Sequence, residues 1–261
     1  MYDMSTIPVV ILAGGKGTRI TEESVHRPKP MIEVGGLPIL CHLMRYYASW
    51  GFRRFIICAG YKAEIIKQYF VDYAWTGGDV EITTQTGEVR RVGSHPDDWC
   101  VSVIDTGTET MTGGRLRRIR NLLPPDGLFC MTYGDGLSDV DLSALIGAHR
   151  CAGRLATVTA VLPPGRFGAL VFDGNAVKSF EEKPRGDGAF INGGFFVIQT
   201  KAIDYIDGDA TSWEREPMER LAADQQLNGF KHAGFWQPMD TLRDKNYLEE
   251  QWSSGRAPWK R

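Results

Sequence analysis

Residues 12–20, LAGGKGTRI, combine three glycines with a lysine, a threonine and an arginine, directly after the apolar run Val9-Val10-Ile11-Leu12. Glycines leave successive backbone N–H groups open to an anion, and adjacent cations balance its charge, which is the chemistry of a phosphate cradle. The same residues suit a plain strand-to-helix turn, and the loop alone leaves the two readings level. Gly15-Lys16-Gly17 opens like the dinucleotide fingerprint, but Ile20 occupies its last position, and Pro28 and Pro30 cut short the helix it needs. The Walker A spacing is absent. Further on, Arg27-Pro28-Lys29-Pro30 sets a lysine between two prolines. Fixed proline torsions stiffen that stretch, so Lys29 loses little entropy on meeting a ligand; taken alone, it reads rather as a solvated loop lysine.

Other chemistries find less support. The histidines, His26, His42, His95, His149 and His232, share no ligand spacing, so no zinc site is expected. There is no GxSxG and no paired-carboxylate hydrolase pattern. The five cysteines form no CxxC pair, and most lie in apolar stretches, reading as small buried hydrophobes in a reducing compartment. With 30 basic and 32 acidic residues the net charge is −2, which argues against a general nucleic-acid binder. The opening MYDMSTIPVV lacks a basic region, and no apolar run approaches the ~20 residues of a membrane span. The expectation is a cytoplasmic protein with no membrane or nucleic-acid partner.

The elements that must position these residues alternate. Residues 9–12 read as a strand, 39–50 as a helix closed by Gly51, 55–59 as a strand and 63–69 as a helix. Strands are expected at 80–84, 101–104 and 128–132, the last ending at the turn Gly134-Asp135-Gly136. Asp141 caps a helix running to Ala152 and stopped by Gly153. Beyond it, 156–162, 170–172, 177–180 and 195–198 read as strands, with Asp173-Gly174 as a hairpin turn, and 213–223 and 241–252 as helices. This order predicts an α/β fold, Rossmann-like, with a mixed, mostly parallel sheet flanked by helices and a ligand crevice beyond the strands' carboxyl ends. One domain spans 1–261, in two parts, 7–152 and 153–261.

LAGGKGTR followed by RPKPMIEVGGLPIL resembles the signature of the sugar-1-phosphate nucleotidylyltransferases. TGGRL (112–116), YGDG (133–136), PPGRFGAL (163–170), FEEKP (180–184), NGGFFV (192–197) and GFWQPMDTLRDK (234–245) extend the resemblance over nearly the whole chain. TGGR, PPGRFGA and WQPMDTLRD are more specific, and resemble the cytidylyl branch acting on glucose 1-phosphate. The family's WxDxGT appears here as Trp236…Asp240-Thr241-Leu242.

The resemblance implies a nucleotide-diphospho-sugar transferase fold, with 7–152 as its nucleotide-binding part and 153–261 as its sugar-binding part, and the conversion of CTP and glucose 1-phosphate to CDP-glucose and pyrophosphate, CDP-glucose being used in bacterial surface polysaccharide (O-antigen) synthesis. It implies a homo-oligomer and Mg2+ as cofactor. Arg19, Lys29 and Lys183 would be the catalytic cations. Leu12, Ala13, Gly14, Gly15, Lys16, Gly17, Thr18, Arg19 and Lys29 would hold the nucleotide, together with Thr110, Thr112, Gly113, Gly114, Arg115 and Gly134. Arg115 would sit near the base or reach the phosphates; otherwise it is a solvated helix arginine. Gly168, Glu182, Lys183, Asn192 and Gly193 would read the sugar phosphate. Asp135 and Asp240 would ligate the metal; the alternatives are an ordinary turn aspartate and a helix N-cap. Residues 85–99, polar and aperiodic, are an active-site flap or a subunit contact, and Trp75 and Trp99 belong to an interface or to the core. A thymidylyl- or uridylyltransferase, or a non-catalytic sugar-nucleotide sensor, remains the rival.

Overall fold

β1 (Val9–Ala13) is apolar and buried at every position, as a strand covered on both faces must be. Val9, Ile11 and Ala13 enter one core and Val10 and Leu12 another, the alternation of a strand with helices on both sides. The computed structural model describes residues 3–15, 17, 20, 27–95, 97–163, 169–173, 175–181 and 189–261. After β1 come β2 (Glu33–Val34), β3 (Leu37–Pro38), α1 (Ile39–Ser49), β4 (Arg54–Ala59), α2 (Ala63–Thr76), β5 (Asp79–Thr83), β6 (Glu88–Val92), β7 (Cys100–Asp105), α3 (Thr112–Arg118), β8 (Leu128–Tyr133) and β9 (Gly136–Ser138). Then follow α4 (Leu142–Ala152), β10 (Ala156–Val161), β11 (Ala169–Asp173), β12 (Ala176–Glu181), β13 (Ile191–Gln199), α5 (Glu216–Ala223), β14 (Leu227–His232), β15 (Trp236–Pro238) and α6 (Leu242–Ser253).

The main sheet has seven strands in the order β14-β10-β13-β8-β1-β4-β7. Neighbours are parallel except at β13, which runs antiparallel to β8 and β10. The carboxyl ends of β1, β4, β7 and β8 and the amino end of β13 therefore share one edge. Leu40 and Leu43 of α1, Ile66 of α2, Leu145 of α4 and Leu248 of α6 fill the core on one face. Leu116 of α3 and Leu221 of α5, with Trp213, Phe129 and Phe196, fill the other. α4 starts where Asp141 accepts the Ala144 N–H at 2.8 Å and stops at Gly153, whose φ of 61° suits the left-handed cap.

Some elements depart from the sequence expectation. The 80–84 strand lies outside the main sheet, paired antiparallel with β6 as a separate hairpin. β6 falls within residues 85–99, read as aperiodic, because both strands of this ribbon are exposed throughout and no burial imposed an apolar alternation. α2 extends to Thr76 rather than ending at residue 69. The helix expected from 213 starts at Glu216, with Pro217 in its first turn, because Trp213 is committed to the core. β9, β14 and β15 were not foreseen. Trp99 packs within the chain, edge-on to Phe55 and stacked on Tyr73, whereas Trp75 is exposed. Cys41, Cys58 and Cys130 are buried thiols, but Cys100 and Cys151 are exposed. β11 and β12 form the expected antiparallel pair; Gly174 lies outside the described residues.

Candidate active site

Lys29 begins a single 3-10 turn, Lys29–Met31, between Pro28 and Pro30, and is buried. Its Nζ donates to Asp135 Oδ2 at 2.5 Å and to Asp240 Oδ1 at 2.7 Å. The aspartates meet because two short strands pair: in the β9–β15 ladder Gly136 lies opposite Pro238, and Met239 N–H donates to the Asp135 carbonyl at 2.7 Å. The cap of α6 is Thr241, not Asp240: Thr241 and Asp244 form a reciprocal capping box. Asp244 also accepts the Asp240 N–H at 3.1 Å. Burial pushes the Lys29 pKa down, but the two carboxylates more than offset it, and the pKa lies above the ordinary lysine value.

These groups sit in a cavity of about 800 Å³ at the shared strand edge. Its floor is the end of β1 and its loop, with Leu12, Ala13, Gly14, Gly15 and Gly17. Lys29, Gly134, Asp135 and Asp240 line one side, Thr110, Thr112 and Arg115 a second, and Asn192 and Gly193 a third. Gly113 and Gly114 are outside this lining; they pack α3 on the 209–213 segment, where Gly114 N–H donates to the Thr211 carbonyl at 3.2 Å. Lys16, Thr18, Arg19, Gly168, Glu182 and Lys183 lie outside the described residues.

Arg115 is not a solvated helix arginine: it lines the cavity with its guanidinium bonded inward. It is buried, and it donates to the carbonyls of Ala59 (3.0 Å) and Gly14 (3.2 Å) and to Thr106 Oγ1 (2.7 Å). Burial lowers its pKa from the usual arginine value. A Cβ on Gly14 would fall 2.1 Å from Arg115 Nη1, so the glycine is needed for the loop to close on the guanidinium.

Sequence reasoning missed Glu214 and Trp236 as cavity residues and gave Tyr133 no role beyond facing the crevice. Glu214 Oε1 accepts from Tyr133 OH and Oε2 from Thr112 Oγ1, both at 2.6 Å. Asn192 Nδ2 donates to Tyr133 OH at 3.2 Å, and Trp236 Nε1 donates to the Gly193 carbonyl at 2.7 Å. Burial, then the Glu214 carboxylate, raises the Tyr133 pKa and keeps the phenol protonated. YGDG pointed at Tyr133, but nothing local marked Glu214.

A polyanion-sized cavity at the carboxyl ends of parallel strands, with glycines on its floor and a lysine held by two aspartates, defines a nucleotide-handling α/β protein. Residues 8–237 match the family model described as nucleotidyl transferase, and the chain belongs to that family. It is 52% identical to the glucose-1-phosphate cytidylyltransferase of Salmonella typhi, with 96% of this chain and 98% of the relative covered. It is 41% identical to the probable glucose-1-phosphate cytidylyltransferase of Bacillus subtilis, with 96% and 98% covered. HddC of Yersinia pseudotuberculosis, solved as a complex with GMP-PN, shares the fold at a TM-score of 0.69 and 24% identity, covering 94% of this chain and 99% of that one.

Proposed function

We propose that this nucleotidyltransferase moves the cytidylyl group of CTP to α-D-glucose 1-phosphate, giving CDP-glucose and pyrophosphate. The relatives' names support the substrates. The geometric observation behind the chemistry is the Lys29 ammonium held between Asp135 and Asp240 beside the glycine loop. A phosphate oxygen of the sugar phosphate attacks the α-phosphorus as the bond to pyrophosphate breaks. That oxygen is already anionic, so no general base is required, and positioning and charge stabilisation carry the rate. Lys29, whose pKa is raised, stays an ammonium and balances phosphate charge without giving up its proton. Arg19 and Lys183 serve as further phosphate cations and Glu182, Gly168, Asn192 and Gly193 as sugar contacts in this reading.

Asp135 and Asp240 come close enough to share one cation, here the Lys29 ammonium, and two hard carboxylates completed by phosphate oxygens and waters are a donor set suited to Mg2+. The residues present fit the ion, and Asp135 and Asp240 would hold it. Held there, the ion would supply Lewis-acid neutralisation of the phosphates. Among the described residues no helix is long and apolar enough to cross a membrane; a cytoplasmic location is our reading, consistent with the buried free thiols. We also infer a homo-oligomer, supported by the exposed Val80, Ile82 and Val89 on one face of the β5–β6 hairpin, and light scattering tests it.

Pyrophosphate release with Mg2+ and glucose 1-phosphate, run separately with CTP, UTP, dTTP, ATP and GTP, tests the reaction. Strong preference for CTP is expected. Preference for another nucleotide removes the cytidylyl assignment, and binding without turnover identifies a sensor.

A further inference from the structure

Glu214 lines the cavity between Thr112 of α3 and the Tyr133–Asn192 pair. Its backbone position is fixed from below: Trp213 is fully buried, and its N–H donates to Thr112 Oγ1 at 2.9 Å. The side chain is exposed at the cavity wall. Thr112 therefore accepts from one residue and donates to the next, and its hydroxyl proton points at Glu214. On the opposite side Asn192 Oδ1 accepts the Gly194 N–H at 2.9 Å, which sets the amide's orientation and leaves Nδ2 to donate to Tyr133. The phenol proton is then directed at Glu214 as well. Every donor in this chain runs towards one carboxylate, from α3 on one wall and β13 on the other.

A carboxylate oriented by two short hydrogen bonds still has lone pairs for further donors, since a carboxylate offers about four acceptor sites. In a cavity for polyanions its purpose is not phosphate, which it would repel. The groups it suits are neutral donors, above all sugar hydroxyls. We propose that Glu214 is a specificity-determining residue whose carboxylate, held by Tyr133 and Thr112, accepts hydrogen bonds from substrate hydroxyls, of the ribose or of the hexose. The inference rests on the nucleotide-plus-sugar-phosphate reading above. Tyr133 and Asn192 act through Glu214 as positioning residues.

The test compares wild type, Glu214→Ala, Glu214→Gln and Tyr133→Phe, with folding checked by circular dichroism. Each is assayed with CTP, 2′-deoxy-CTP and 3′-deoxy-CTP, and with glucose 1-phosphate and its 2-, 3- and 4-deoxy analogues. Glu214→Ala is expected to lower kcat/KM with the natural pair by roughly 10- to 100-fold, the range for a hydrogen bond to a charged acceptor. Glu214→Gln, which keeps the shape, should lose less. At least one deoxy analogue should be penalised by the wild type and carry no added penalty in Glu214→Ala, with Tyr133→Phe intermediate. A deoxy-CTP analogue behaving this way identifies the ribose as the source; a deoxy-glucose analogue identifies the hexose. Equal penalties in wild type and Glu214→Ala for every analogue, or an unchanged kcat/KM with the natural pair, overturn the proposal. If wild type prefers a different nucleotide, the cytidylyl reading fails while the Glu214 comparison proceeds with that nucleotide and its deoxy forms. No turnover with any nucleotide overturns both.

Discussion

Asp135 and Asp240 share the single ammonium of Lys29, at 2.5 and 2.7 Å, and the β9–β15 ladder is what brings them there. Either carboxylate alone would be a loop residue with an ordinary turn role. Together with buried Lys29 they make a charge-dense point on the cavity wall. Asp135→Asn and Asp240→Asn are each expected to lower kcat by roughly 10²–10³, the cost of removing a placed charge stabiliser. Steady-state rates over a Mg2+ titration check this, with a raised Mg2+ requirement expected in both variants.

Gly14 and Gly15 are adjacent but differ in what a side chain would meet. On Gly14 a Cβ would collide with the Arg115 guanidinium, which its bonds to Ala59 and Thr106 hold in place; on Gly15 it would meet nothing within 4 Å. Gly14→Ala is expected to destabilise by about 1–3 kcal/mol, as overpacking does. Gly15→Ala should leave the melting temperature unchanged and raise KM for the nucleotide, if backbone approach to phosphate is that residue's role. Thermal melts and initial rates on the two variants separate fold from function.

Thr241 couples helix capping to the site. Asp244 accepts from Thr241 N at 2.9 Å and from Asp240 N at 3.1 Å, so the cap of α6 also orients Asp240. Thr241→Ala should cost about 1 kcal/mol of stability and also lower kcat at temperatures where the variant is fully folded. Denaturant melts and rates at 25 °C measure the two effects.

His149 sets an acid limit. On α4 it is buried, its Nδ1 lies 3.0 Å from Thr157 Oγ1, and burial, then Arg150, lowers its pKa from 6.5 to about 4. Between those values the unfolded chain binds the proton and the folded chain does not. The neutral ring's contribution is therefore fully present above pH 6.5 and is lost as pH falls towards 4, to a total on the order of 3 kcal/mol. Urea unfolding of wild type and His149→Phe at pH steps from 7.5 to 4 should show this slope in the wild type alone.

Much of this fold was legible in one dimension. The unbroken apolar run of β1 announced a strand covered on both faces, and Asp141 and Gly153 bracketed α4 by capping chemistry. Local physics suffices where backbone geometry and burial period leave a mark on neighbouring residues. The β5–β6 hairpin left none, being exposed on both faces, and β14 was obscured by its Asn, Gly and Lys.

The site divides along the same line. Sequence by itself determined which residue types were available: a glycine loop after a buried strand, a lysine stiffened by prolines, and aspartates in turns. Only the tertiary structure decided that Asp135 and Asp240 meet on Lys29, and that Arg115 turns inward to the Gly14 carbonyl. It alone brought Glu214 to Tyr133 and Thr112 across the cavity. Those relationships span from 81 to 211 positions of chain. Strand pairing and core packing close such distances, because the free energy of burying both faces of one sheet sets the register in which distant loops arrive at its edge.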